Sequence, residues 1–115
     1  MDADDREAYV EAVLSLVEAI PPGRVMAYGQ VADAVGRGGP RQVGAVMSAY
    51  GSGVPWWRVV RADGTLPECH RPRALEGYRA EGTPLRAAAA GLVGDTRVDM
   101  RRAAWAPVTA GPARP

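Results

Sequence analysis

Tyr28-Gly29-Gln30-Val31-Ala32-Asp33-Ala34-Val35, then Gly36-Arg37-Gly38-Gly39, then Pro40-Arg41-Gln42-Val43-Gly44-Ala45-Val46-Met47-Ser48-Ala49-Tyr50, is the stretch on which the fold turns. In its first part Val31, Ala32 and Val35 fall at helical spacing, so a short helix is expected over Tyr28 to Val35. The glycine-rich connection ends that helix, and Pro40, pre-set for a first helical position, opens the next. Over Pro40 to Tyr50 one face carries Val43, Val46, Met47 and Tyr50, and the small Gly44 and Ala45 beside it permit close packing. Two short helices joined by a tight turn make a helix-turn-helix. On pattern alone a DNA-reading pair and a structural three-helix core both remain open. Arg41 in the first turn is either aimed at a duplex or a solvated surface arginine.

Upstream, Val10, Val13, Leu14 and Val17 follow the i, i+3, i+4, i+7 stripe of an amphipathic helix, expected over Glu7 to Ile20 and stopped by Pro21-Pro22-Gly23. Downstream, Gly51-Ser52-Gly53 loosens the chain before Val54-Pro55-Trp56-Trp57. The β-prone Arg58-Val59-Val60-Arg61 and the turn pair Asp63-Gly64 follow, which suggests a small hairpin, or wing. A further helix is expected over Pro72 to Glu81, packed through Leu75 and Tyr78 and ended by Gly82-Thr83-Pro84. A short strand is expected near Arg97 to Met100, with a loose Ala/Pro-rich tail beyond Trp105. The fold class is therefore mainly α with a small β-hairpin, a winged helix-turn-helix. One domain over 1–105 with a flexible tail over 106–115 is the expected organisation, since 115 residues suit a single core.

Net charge is +1, but it is unevenly spread: residues 1–20 hold six acidic groups and one Arg, and residues 21–86 hold nine Arg and five acidic groups. All 14 basic residues are arginine, which reflects either a coding bias or a use for forked contacts to phosphate. This balance alone does not single out a nucleic-acid binder. No apolar run approaches the roughly 18 residues of a membrane span, and the acidic start lacks the features of a signal peptide, so a cytoplasmic protein is expected. A single cysteine, Cys69, makes no internal disulfide, and one Cys with one His is too few for structural zinc. No metal or cofactor is expected.

Two residue sets invite a chemical reading. Tyr28, at a helix start, presses on a phosphate or simply packs there. Trp56-Trp57 follows a proline beside glycines. On an extended segment neighbouring side chains point opposite ways, so one indole joins the core while the other lines a pocket, or both are core. An indole face in such a pocket offers stacking of roughly 1 to 3 kcal/mol per base.

Taken together, Ile20-Pro21-Pro22-Gly23-Arg24-Val25, Ala27-Tyr28-Gly29-Gln30-Val31-Ala32, Arg41-Gln42-Val43-Gly44-Ala45-Val46-Met47 and Val54-Pro55-Trp56-Trp57-Arg58-Val59-Val60, with Asp63-Gly64 behind, resemble the DNA-binding domain of O6-alkylguanine DNA alkyltransferases. The resemblance runs from about Val10 to Gly82, with four motifs in order. In the repair enzymes the last motif is Pro-Cys-His-Arg, whose thiolate accepts the alkyl group with help from the histidine. Trp56 and Trp57 stand at those two positions here. Tryptophan at the first is the mark of alkyltransferase-like proteins, so the resemblance implies a non-enzymatic binder of O6-alkylguanine in double-stranded DNA that marks the site for nucleotide excision repair proteins.

By matching positions, the resemblance makes Tyr28 the residue that pushes the target phosphate and Arg41 the one that fills the vacated stack, with Gln42 and Gly44 on the same DNA-binding helix. It puts Trp56, Trp57, Arg58, Val59 and Val60 at the lesion pocket. The family's further arginine after the hairpin falls to Arg71 or Arg73. Relatives often keep histidine where Trp57 stands, and its loss removes a hydrogen-bonding group. A monomer is expected.

Two rivals remain. Pro67-Glu68-Cys69-His70-Arg71 superficially echoes the reactive motif, but it follows the Asp63-Gly64 turn instead of preceding it. The intervening glutamate also raises a thiol's pKa instead of lowering it. The other rival is a helix-turn-helix regulator that reads an undamaged sequence.

Overall fold

The computed structural model describes residues 2–65, 70–86 and 96–107. The helix-turn-helix has the expected bounds. Helix α2 spans Tyr28–Val35 and α3 spans Pro40–Tyr50, after α1 over Ala3–Ala19. Helix α1 starts four residues before the expected Glu7 because Asp2 caps it, its carboxylate accepting from Asp5 N at 2.9 Å. Asp4 and Asp5 add negative charge to the positive end of the helix dipole.

The buried stripe of α1 is Tyr9, Val13 and Val17, while Val10 and Leu14 are only partly covered. These residues meet Val31, Ala32, Val43, Val46, Met26 and Val59 in one apolar cluster. The α2–α3 connection docks on this helix as well. Arg37 lies over the Tyr9 ring at 5.7 Å and donates to the Asp5 carbonyl at 3.0 Å. Gly38, at φ +74°, leaves no room for a side chain against that ring.

The β structure differs from the expected hairpin. Strand β1, Met26–Ala27, pairs in parallel with β2, Val59–Val60, in the register Met26↔Val59 and Ala27↔Val60. The Asp63-Gly64 turn does form: Asp63 accepts from Thr65 N at 3.0 Å, and Gly64 N donates to the Arg61 carbonyl at 2.8 Å. The Gly64 carbonyl, however, receives Val98 N, so the backbone beyond β2 is tied to the C-terminal part of the chain. The antiparallel pair is formed by β3, Leu85–Arg86, and β4, Arg97–Val98. Local strand propensity cannot distinguish these partners, because the pairings join residues far apart in sequence.

Helix α4 runs over Arg71–Glu81 and buries Ala74, Leu75 and Tyr78, as the spacing predicts; Gly82 ends it in the left-handed conformation. Helix α5, Met100–Ala103, was not foreseen; Asp99 caps it. Ala74, Leu75, Tyr78, Val98, Ala103, Val25 and Val60 form a second apolar cluster. Val59 belongs to the first cluster and Val60 to the second, because successive strand residues face opposite ways. The short β1–β2 ladder is thus the seam between the two cores. Trp105 packs against the first cluster, and its backbone N–H donates to the Val25 carbonyl. Cys69 and most of the expected tail, residues 108–115, lie outside the described residues.

Candidate nucleic-acid interface

Two arginine environments define this molecule. The first is an open groove of about 380 Å³ lined by Tyr28, Pro40, Arg41, Gly44 and Arg61. Three of the residues proposed from sequence, Tyr28, Arg41 and Gly44, therefore come together. Tyr28 leaves β1 as the first residue of α2, Arg41 is exposed on the first turn of α3, and Gly44 follows one turn later on the same face. An ideal Cβ at Gly44 meets nothing within 4 Å, so glycine there keeps the groove floor low rather than making room for a neighbouring helix.

Arg61 was not singled out from sequence. The β ladder brings it in: Ala27 pairs with Val60, and the next residue of each strand, Tyr28 and Arg61, leaves at the same end. The available signal was its place as the residue that follows the apolar pair Val59-Val60. Burial raises the Tyr28 pKa above the ordinary 10.0, and the neighbouring Arg61 charge only partly opposes this. The phenol is therefore protonated at neutral pH and able to donate to an anion. No carboxylate among the described residues forms an ion pair with Arg41 or Arg61.

Gln42 sits beside Arg41 but has other work. Its side-chain oxygen accepts from Gly39 N at 2.9 Å and caps α3, which supports the helix without reaching into the groove.

The second environment surrounds the tryptophans. Trp56–Arg58 is a turn of 3-10 helix, not the extended segment expected, and consecutive side chains there do not alternate across a strand. The Trp56 and Trp57 rings meet edge to face at 5.7 Å. Trp57 is anchored: its indole N–H donates to Glu81 Oε2 at 3.1 Å, and its carbonyl accepts the Tyr78 hydroxyl at 2.6 Å. Gly77 lets the ring lie against α4, since a Cβ there comes within 2.9 Å of the indole. Trp56 makes no such side-chain bond among the described residues; its ring faces His70, whose centroid lies 5.5 Å away. Both indoles are partly buried, but Trp57 is tied to Glu81 and lies against Gly77, so Trp56 is the one with a face to offer.

Arg58, proposed as a pocket residue, is instead a structural clamp. Its guanidinium takes both carboxylate oxygens of Glu81 in a forked pair and donates to the Ile20 carbonyl at 2.8 Å. Glu81 also accepts from Gly23 N at 3.1 Å. Burial pushes the Glu81 pKa up, but the bonds from Arg58, Gly23 and Trp57 outweigh it and hold the carboxyl below its ordinary value. Glu81 and the Tyr78 hydroxyl escaped the sequence reading because nothing local marks a helix-end carboxylate as the partner of an arginine 23 positions away.

Val59 and Val60 are fully covered and brace the seam, as supports and not as pocket lining. Arg71 and Arg73 open α4 next to His70. Arg71 is half-buried, with its Nε lacking a hydrogen-bond partner among the described residues, and Arg73 is exposed. Neither lines the groove of Arg41. Among the described residues there is no cluster of three or more His, Cys, Asp or Glu able to hold a metal ion.

The comparisons with known proteins fit this geometry. The family described as the 6-O-methylguanine DNA methyltransferase DNA binding domain matches residues 8–83. The DNA base-flipping protein of Escherichia coli (strain K12) is 33% identical over 109 residues, covering 89% of this chain and 78% of that protein. Among solved structures, S. pombe Atl1 in complex with damaged DNA containing O6-carboxymethylguanine superposes with a TM-score of 0.75 at 27% identity, over 93% of this chain and 100% of the other. A variant of the M. tuberculosis O6-methylguanine methyltransferase superposes with a TM-score of 0.54 at 26% identity, over 78% of this chain and 55% of the other. The chain belongs to the DNA-binding-domain family of the O6-methylguanine DNA methyltransferases, as an alkyltransferase-like protein.

Proposed function

We propose that this protein binds O6-alkylguanine in duplex DNA by flipping the damaged nucleotide, performs no chemistry on it, and marks the site for nucleotide excision repair. The observation that carries this reading is the convergence of Tyr28, Arg41, Gly44 and Arg61 on one open groove without an ion-pair partner for either arginine among the described residues. Arginines kept free of carboxylates at a solvent-facing groove are suited to phosphate and base contacts.

In this scheme Tyr28 bears on the phosphate of the target nucleotide and Arg41 occupies the space the base leaves. Extrusion costs a few kcal/mol, least for a poorly paired damaged base. Stacking on Trp56 returns roughly 1 to 3 kcal/mol. The remainder must come from Arg41 and the phosphate contacts, so flipping depends on the groove as much as on the pocket. Trp56 stands at the position of the family's acceptor thiol. An indole has no nucleophile to receive an alkyl group, and Trp57 is committed to Glu81 instead of acting as a base.

The test is a titration of Trp emission with matched duplexes containing guanine or O6-methylguanine, followed by mass spectrometry of the recovered protein and DNA. Tighter binding to the lesion with both masses unchanged is expected. A methyl group on the protein, at Cys69 or elsewhere, would make it an enzyme. Equal binding, with a consensus site recovered from random duplexes, would make it a sequence-reading regulator.

A further inference from the structure

A second groove of about 450 Å³ lies beside the first, between α2 and α5. Its small walls are Ala27, Gly29, Ala62 and Ala104, and Arg101 of α5 stands over it. The two grooves abut along the chain: Tyr28 and Arg61 line the first, and their neighbours Gly29 and Ala62 line the second. Gly29 has open space where a Cβ would be, so this position of α2 places no side chain between the two grooves. Arg101 is exposed and has no ion-pair partner among the described residues. Arg41 and Arg61 thus line the first groove and Arg101 the second.

We propose that the second groove seats the sugar-phosphate backbone of undamaged duplex flanking the lesion, with Arg101 as its phosphate contact. The proposal rests on the DNA-binding reading above and extends its footprint to α5. Charge complementarity and continuity with the groove of Arg41 argue for this occupant over an apolar one. Asp33 also lines the groove and repels an anion, so the phosphate is expected on the Arg101 and Ala62 side. A contact of this kind carries no sequence or lesion information; it adds affinity for any duplex and lengthens the footprint.

The experiment measures the salt dependence of binding to long duplexes with and without O6-methylguanine, for the wild type, Arg101→Gln, Ala62→Glu and the control Arg6→Gln on α1. Removing one phosphate contact is expected to flatten the slope of log K against log salt by about 0.9, equally on both duplexes, leaving the lesion preference intact. The loss is expected to vanish on a duplex trimmed to the lesion and its immediate neighbours. Ala62→Glu, at an exposed position, is expected to weaken long-duplex binding without lowering Tm. If Arg101→Gln and Ala62→Glu both keep the wild-type slope while the wild type still prefers the lesion, the second-groove proposal is overturned and the flipping reading stands. A change in Arg101→Gln no larger than in Arg6→Gln also overturns it, as a general charge effect. A wild type without lesion preference defeats the flipping reading, whatever the slopes of the variants.

Discussion

Arg58 and Arg41 are the same side chain in opposite circumstances. Arg58 is 12% exposed, forked onto a Glu81 that is 13% exposed, and bonded to the Ile20 carbonyl as well. Arg41 stands in solvent at a groove, without an ion pair among the described residues. The first has spent its donors inside the protein, joining the end of α1, the Trp56–Arg58 turn and the end of α4. The second keeps its five donors for something the protein lacks. An arginine motif in a sequence therefore says little until the partner of each guanidinium is known.

The comparison breaks most sharply at the clamp. Glu81→Ala leaves a largely buried guanidinium unpaired and removes the Trp57 and Gly23 acceptor, which is expected to cost about 3 kcal/mol and lower Tm by roughly 10 °C or more. Thermal unfolding checks it, and a Tm shift of only a degree or two would reduce the clamp to an ordinary surface pair. Arg41→Ala should do the reverse. Stability should stay within about 0.5 kcal/mol, while binding to lesion-containing duplex falls by about 30-fold, the loss of a central contact near 2 kcal/mol. Binding to a single-stranded lesion, where there is no stack to refill, should fall much less. Equal losses in the two titrations would contradict the role given to Arg41.

Gly44→Ala separates folding from binding by sign. In the helix interior it is expected to raise stability by about 0.5 to 1 kcal/mol, because glycine is the poorer helix former and the site is open. A longer side chain at the same site, Gly44→Leu, is expected to obstruct the duplex and weaken its binding. Denaturant titration and DNA titration of the same samples decide both. The smallest effect concerns pH. Glu81 has a folded pKa below its ordinary 4.5, so its contribution is fully present above that value and is lost as pH falls through the depressed one. Acid unfolding of Glu81→Gln should therefore be shallower below about pH 4.5 than that of the wild type; parallel curves would assign the acid sensitivity to other carboxylates.

What could be read beforehand divides along the same lines. Helices α2 and α3 were legible to the residue, because Pro40, the glycine run and the apolar spacing are local signals. Helix α4 was nearly so. The pairing of β2 was not, since a two-residue strand has the same composition whether its partner is across a turn or 33 positions away. The Trp56–Arg58 turn was not legible, because the β-prone residues after Trp56-Trp57 favour an extended reading and the 3-10 turn has no local mark. At the site, Tyr28, Arg41 and Gly44, grouped beforehand by the resemblance, line one groove. Arg58, Trp57 and Gln42 were not recognised as braces, because their partners, Glu81 and Gly39 N, could be known only from the fold.

The parallel ladder of Met26–Ala27 with Val59–Val60 also bears on how fast such a protein can search. Tyr28 and Arg61 emerge side by side from two strands whose residues, Met26, Ala27, Val59 and Val60, are all buried, so their spacing is set before any DNA arrives. Placing these two side chains then requires no ordering at encounter, and the conformational entropy they surrender on binding is small. The intact sites that make up nearly all of a genome can be tried and released quickly, with residence time rising only where a base leaves the stack readily. Discrimination would then appear in the dissociation rate, and association would look alike on damaged and undamaged DNA.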